Sequence, residues 1–279
     1  MKLLLHTMAT PKLDPIGAIE LAKKLGYDGV DLVTQANYHC SLSPTAPIED
    51  ARALAKAGAD RGMPIRALTP YDKAINDPDE TVRARAMAGF TRAIEHAAAL
   101  GADKIRVLAG IDMPDDKWDA SLDLLVEQIR KLAAIGAKHG VALNIENHDG
   151  SMADTAARTV RIWRAVDRSN VGIIYDPANL IRDKKEDYPE SLRMQADGIR
   201  HIHLKDYIFA PEYPNGRRAV VPGEGVIPWV GIYRDLRAAG FTGDSSLEYE
   251  TRWVPEQLPA PEIGLARAQE YLSKCMSGV

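Results

Sequence analysis

The sequence predicts a single (β/α)8 barrel spanning residues 1–279. Three observations carry this. Short runs of Val, Ile and Leu, closed by polar or turn residues, alternate eight times with helical stretches, as strands buried on both faces do. Glycines at 26, 62, 101, 140 and 240 end helices shortly before the next apolar run. No low-complexity linker divides the chain, and no Gly-x-Gly-x-x-Gly follows the first strand, which argues against a dinucleotide-binding doubly wound sheet.

Residues 1–6 read as the first strand, because one charge and three leucines make too short an apolar run for a secretory leader. Asp14 as N-cap and Pro15 in the first turn open a helix that runs to Leu25 and stops at Gly26. Residues 30–32 form a strand, 48–61 an Ala-rich helix before Gly62, and 65–68 the third strand, leading to a 70–73 loop. A long helix runs from Asp77-Pro78 to Leu100. The unit then repeats as strand 104–108 and helix 119–139, strand 142–146 and helix 153–166, and strand 171–175 with a short helix near 189–196. Strand 200–204 enters a long loop to Ile227, followed by helix 228–239, strand 245–249 and a last helix over 263–273.

Bulk properties narrow the partners. With 279 residues and 46% hydrophobic content the chain can bury a large core. Thirty-five Lys and Arg against 39 Asp and Glu leave a net charge of −4, which speaks against nucleic acid as the main partner. No run reaches the roughly 20 apolar residues of a membrane span. Two widely separated cysteines, Cys40 and Cys275, imply no disulfide framework, so a cytoplasmic setting is expected.

Four successive strands end in residues that can hold a metal: Glu146, Asp176, His203 and Glu248. Parallel strands of a barrel present their C-terminal ends on one rim, so these four should converge. The two-residue period of a strand is consistent with this. It turns Ala142, Asn144, Ile174, His201 and Ser246 inward with them and leaves the apolar Ile145, Ile202 and Leu247 facing the helices. A lone acid at a strand end more often caps a helix or pairs with a cation, as Asp176 before Pro177 could. Four in a row indicate a site. Three carboxylates and one imidazole suit Mn²⁺ best, with Mg²⁺ or Co²⁺ as further candidates, and leave two coordination positions for a ketone oxygen and its neighbouring hydroxyl. A metal there acts as a Lewis acid and favours an enediolate.

Further candidates stand on the same rim or just below it. His148, Lys205 and Glu250 are placed to meet substrate, with an ion pair from Lys205 to Glu250 or Asp206 as the structural alternative. His6 is expected in the floor or wall of the pocket, His201 one layer beneath His203, and Arg106 inside the barrel beside the carboxylates. Trp229 and Trp253 are candidates for a stacking wall. The charged run 182–187 reads as a solvated loop.

The segments Ile145-Glu146-Asn147-His148, Tyr175-Asp176-Pro177-Ala178-Asn179, His201-Ile202-His203-Leu204-Lys205-Asp206, Pro222-Gly223-Glu224-Gly225 through Trp229, and Leu247-Glu248-Tyr249-Glu250 together resemble the xylose-isomerase-like sugar-phosphate isomerase/epimerase superfamily. That group includes ketose 3-epimerases, inosose dehydratases and isomerases, hydroxypyruvate isomerases and type-IV apurinic endonucleases. The resemblance implies a metal held by Glu146, Asp176, His203 and Glu248, with Glu146 and Glu248 also serving as the acid/base pair. Asn179 stands where the family often has His, and Arg217 and Arg218 lie near the place of a substrate-binding Arg. The endonucleases need an Asp-x-His ahead of the Gly-x-Gly; here Arg218 and Val220 occupy those places, which disfavours a DNA-repair site.

The expected activity is therefore a metal-dependent isomerase or epimerase of a small keto-sugar or polyol ketone. The alternatives are an inosose-type dehydratase on the same scaffold, or a sugar-binding barrel without catalysis. The absence of a phosphate-binding Gly loop after strand seven or eight favours an unphosphorylated substrate, and the exposed rim loops are compatible with a homodimer.

Overall fold

A computed structural model describes residues 1–182 and 186–278. Eight parallel strands, β1 (Lys2–His6), β2 (Gly29–Thr34), β3 (Ile65–Pro70), β4 (Lys104–Leu108), β5 (Ala142–Glu146), β6 (Val171–Tyr175), β7 (Ile199–Leu204) and β8 (Asp244–Leu247), follow one another around a sheet that closes where β1 pairs with both β2 and β8. Ser41–Leu42 adds a two-residue strand beside β2. Nine helices pack outside among the described residues: α1 (Pro15–Leu25), α2 (Ile48–Asp60), α3 (Glu80–Leu100), α4 (Asp115–His139), α5 (Ala156–Val166), α6 (Pro177–Ile181), α7 (Glu190–Gln195), α8 (Trp229–Ala238) and α9 (Pro261–Ser277). None is long and apolar enough to cross a membrane.

Local signals explain most boundaries. The Asp14 carboxylate accepts from Gly17 N at 2.7 Å, and Gly26 takes the left-handed conformation (φ 80°) that ends α1. Where α3 and α5 depart from expectation, a cap outside the apolar pattern is the cause. Asp79 caps α3, so that helix starts at Glu80 and residues 74–76 form a 3-10 turn. Thr155 caps α5 at Ala156. Helix α4 begins four residues early, at Asp115 after Pro114, with two acids in its first turn.

The stretch after β7, expected as a loop, contains an antiparallel hairpin pairing Asp206–Phe209 with Arg217–Val220. Asn215-Gly216 near its tip takes φ of 63° and 67°, the left-handed pair that tight turns use. One carboxylate fixes the root of this hairpin. Asp206 accepts backbone N–H bonds from Tyr207, Gly223, Gly225 and Ile227 at 2.9, 2.9, 3.2 and 3.1 Å. Only glycine fits at 225, because a Cβ there would run into Asp206 Oδ1 and the Tyr207 carbonyl.

The core has two zones. Ile145, Ile202 and Leu247 are fully buried between strands and helices. The barrel interior is polar and holds Asp31, Thr69, Arg106, Asn144, His201 and Ser246, all buried. At the N-terminal end of the barrel Asp244 receives Lys104 Nζ at 2.9 Å and Arg66 Nε at 3.0 Å. Burial works against the charge, yet these two cations hold the Asp244 carboxyl below its usual range. A folded-state pKa below the unfolded one contributes stability above about pH 4 and loses it as the pH falls through the folded value. Thermal melts of Asp244→Asn should therefore flatten between about pH 5 and pH 3 relative to the parent. Parallel curves would show that the pair does not govern acid stability.

Candidate metal centre

Glu146, Asp176, His203 and Glu248 lie together at the C-terminal rim: all are buried, and one ligand atom from each lies within 4.8 Å of the others. His203 Nδ1 is 2.9 Å from Glu146 Oε1 and 3.2 Å from Glu248 Oε1. Glu146 is the last residue of β5, His203 is near the end of β7, and Asp176 and Glu248 lie one residue past β6 and β8. Asp176 also caps α6, accepting from Asn179 N at 3.1 Å. Both readings of that residue thus coexist, one on each carboxylate oxygen, because Oδ2 faces Lys205 Nζ at 2.7 Å.

Two permanent cations stand against the acids. Arg106 Nη1 lies 3.1 Å from Glu146 Oε2 and 3.7 Å from Glu248 Oε1, and its other guanidinium nitrogens donate to the Pro70 carbonyl. Lys205 reaches Glu248 Oε2 at 3.2 Å as well as Asp176. Its partners are therefore neither Glu250 nor Asp206, whose carboxylate is occupied at the hairpin root. Burial opposes a charge on His203, but Glu248 and Glu146 lift the imidazole to about 10. Burial, with Glu146 and Glu248 nearby, raises Asp176 to about 6 despite Lys205. Both glutamates are held below their usual range against burial, first by His203.

This arrangement fits a divalent cation. Three buried carboxylates this close repel one another and are offset by Lys205, Arg106 and the His203 proton, a proton that a bound divalent cation would displace. The donor set is three hard oxygens and one imidazole nitrogen, which suits Mn²⁺, Mg²⁺ or Co²⁺. His203 Nε2 has no hydrogen-bond partner among the described residues and points toward Asp31 Oδ2, 3.8 Å away.

Asp31 is the residue that sequence reasoning missed. It accepts from Thr69 Oγ1 at 2.7 Å and Ser246 Oγ at 2.8 Å, and Ser246 Oγ lies 2.7 Å from His201 Nε2. Its only signal in the chain is an acid between apolar neighbours on β2, Val30-Asp31-Leu32, with no partner in view.

The other candidates divide. A cavity of about 330 Å³ opens above the cluster, bounded among others by Arg106, His148, Asn179, Lys205, Glu248, Glu250 and Trp253. The His148 ring turns back onto Asp149, whose backbone carbonyl it meets at Nδ1. Asn179 braces Asp176 through Nδ2 at 3.0 Å, and its Oδ1 has no hydrogen-bond partner among the described residues. His6 does not line this cavity: it is buried under Glu248, with Nδ1 accepting from Met8 N and Nε2 3.7 Å from Glu248 Oε1. Arg217 lines a neighbouring cavity, whereas Arg218, one residue along the hairpin, lines neither.

Trp253, 51% exposed, lines the cavity, but Trp229 is 0% exposed and is packed into the core at the start of α8. In the charged run, Arg182 pairs with Asp149 and Glu186 accepts from Ala156 N at 2.7 Å at the start of α5, so these two are not simply solvated. Residues 183–185 of that run lie outside the described residues.

Comparison with known proteins sets this geometry in context. The family described as xylose isomerase-like TIM barrel matches residues 19–275, and the chain belongs to it. Inosose dehydratase of Geobacillus thermodenitrificans (strain NG80-2) is 28% identical over 148 residues, covering 49% of this chain and 48% of that protein. The chain thus spans about half the length of that dehydratase. A provisionally named L-ribulose-5-phosphate 3-epimerase of Escherichia coli (strain K12) is 26% identical over 261 residues, 92% of this chain and 89% of the relative.

Among solved structures, D-psicose 3-epimerase of Clostridium cellulolyticum H10 with D-tagatose superposes with a TM-score of 0.81 at 18% identity, covering 99% of each chain. A xylose isomerase-like TIM barrel protein of Mycobacterium smegmatis in complex with magnesium gives 0.75 at 18% identity, covering 99% of this chain and 97% of that one. At such identities these structures establish the shared fold.

Proposed function

We propose that the protein is a divalent-metal-dependent isomerase or epimerase of a keto-sugar or related polyol ketone, with Glu146 and Glu248 as its acid/base pair. One observation carries this reading: the two carboxylates reach the same His203 nitrogen, at 2.9 and 3.2 Å, from strand ends separated by β6 and β7, beneath an open cavity. A small ligand seated there meets a carboxylate on two sides.

Glu146, Asp176, His203 and Glu248 would hold the cation, with Mn²⁺ first and Mg²⁺ or Co²⁺ next. Such a cation supplies Lewis acidity toward a ketone oxygen and the adjacent hydroxyl, which acidifies the neighbouring C–H. One glutamate takes the proton from that carbon and the other returns one, as inversion at the carbon requires. Arg106 and Lys205 keep positive charge beside the oxygens on which negative charge builds. Asn179, through its unpartnered Oδ1, and His148 offer hydrogen bonds to hydroxyls at the rim. The epimerase names of the Escherichia coli relative and of the D-psicose enzyme support this assignment. A second reading, supported by the inosose dehydratase relatives, is a lyase in which the same enediolate expels a β-hydroxyl as water.

The test is a chelator-stripped protein assayed in D₂O against a panel of ketoses and keto-inositols, with and without Mn²⁺. Deuterium at the carbon beside the carbonyl of recovered sugar, dependent on restored metal, is the expected result. Loss of water to a conjugated enone selects the lyase. Stripped protein that turns over equally well, or tight sugar binding with no exchange, overturns the proposal.

A further inference from the structure

We propose that the active-site cavity is the first of two compartments, and that the second receives a hydroxylated ring joined to the ketose, so that the substrate is a glycosidically extended keto-sugar. This rests on the reaction assigned above and names the size and chemistry of its substrate.

The space comes first. A second cavity of about 430 Å³ adjoins the one of about 330 Å³ over the metal cluster, and Lys205, Glu250, Trp253 and Arg182 line both. Each compartment alone is within the range of small-molecule pockets, roughly 300–1,000 Å³. A single ketose ring on the cluster leaves the second compartment to solvent.

The lining of the second compartment then narrows the occupant. Tyr207, 4% exposed, has a buried hydroxyl with no partner among the described residues, and a buried hydroxyl without a hydrogen bond is costly. Tyr207 pairs with Ala219 across the hairpin and Arg217 is two residues along, so one face of the hairpin supplies all three lining residues. The Arg217 and Glu250 side chains have no hydrogen bond or ion pair among the described residues. Trp253 is held by its indole N–H, which donates to Met8 Sδ at 3.0 Å, leaving the ring at the junction of the compartments.

An apolar ring face beside isolated donors and acceptors matches a sugar, which stacks through its C–H face and hydrogen bonds through its hydroxyls. A phosphate matches less well than a sugar, because Arg217 would meet it against two carboxylates of the same lining. Glu250 and Glu256 line the same compartment, while Arg182 is already paired with Asp149 and Lys205 with Asp176 and Glu248.

The experiment compares a free ketohexose, the same ketose bearing a hexosyl group on a hydroxyl remote from the carbonyl, and the corresponding ketose phosphate. Rates are read by solvent-deuterium exchange in the Mn²⁺-loaded protein. Affinities are read by calorimetry with the reduced alcohols of the free and hexosyl ketoses, which cannot enolise. A kcat/KM and an affinity at least ~10-fold higher for the hexosyl compound are expected, the scale of one or two net hydrogen bonds. The advantage should shrink toward one in Tyr207→Phe and Arg217→Gln variants that melt like the parent. Equal rates and affinities for the free and extended sugars, or a larger gain from the phosphate, overturn the proposal. If no ketose exchanges deuterium, the assigned reaction fails, and the affinity ratio of the two alcohols still decides the compartment.

Discussion

Glu248→Gln is expected to fold normally and to lose about 10²–10⁴ in turnover, the usual contribution of a positioned acid or base. Glutamine keeps the side chain's size, so the contacts of its Oε1 position with His203 and of its Oε2 position with Lys205, both 3.2 Å, are preserved in shape. What it loses is the ability to accept a proton and one negative charge of the cluster. Glu146→Gln should lose as much, because its carboxylate meets His203 and Arg106 at 2.9 and 3.1 Å in the same way. The two variants should differ in one respect that only an acid/base pair explains. The variant that keeps the proton-removing glutamate should still wash deuterium into recovered substrate while forming no inverted product. Variants that both stay within tenfold of the parent in turnover would remove these glutamates from the chemistry.

Asp31→Asn is expected to weaken Mn²⁺ binding by about 10–100-fold, the scale of losing a carboxylate that faces the far nitrogen of a histidine, here the proposed ligand His203 at 3.8 Å. Asp31 faces His203. The ring's Nδ1 faces Glu146 and Glu248, so when Nδ1 ligates a cation the ring proton sits on Nε2, on the side of Asp31 Oδ2. A carboxylate there stabilises that tautomer; an amide can turn its NH₂ toward the ring and favour the other. Asp31 is itself held in place by Thr69 and Ser246, and Thr69→Val, which removes one of those hydrogen bonds but keeps the Asp31 carboxylate, should weaken Mn²⁺ binding less than Asp31→Asn. The measurement is calorimetric titration of stripped protein with Mn²⁺, together with the visible spectrum of the Co²⁺ form. An affinity and a spectrum unchanged in Asp31→Asn would reduce the residue to an anchor in the barrel interior.

Much of the architecture was legible in the chain because its signals are local. Val, Ile and Leu runs mark strands covered on both faces, and strands 104–108, 142–146 and 171–175 match those expected. Once a barrel is inferred, the rim position of the four strand-end residues follows from geometry.

What stayed hidden depends on closure and on competition for partners. Asp31 meets Ser246 only because β2 and β8 both flank β1, and 215 residues separate the two in sequence. Lys205 pairs with Asp176 and Glu248, and not with the adjacent Asp206 or with Glu250; the sequence shows no sign that Asp206 is already engaged. Its oxygens instead satisfy the N–H of Tyr207 and three backbone N–H groups of a turn that reads as featureless loop. Trp229 and Trp253 are indistinguishable by residue type. Only the placement of α8 buries one and leaves the other at the rim.

The Asp206 clamp has a bearing on how such a protein diversifies. Both legs of the hairpin, at residue 206 and at the turn over 223–227, are tied to a single carboxylate one residue from the sheet. The segment between them is thereby a detachable module: its length and side chains can be regrafted without disturbing the strand ends that carry the chemistry. Selection, natural or in the laboratory, would have at this one address a way to change what the rim recognises.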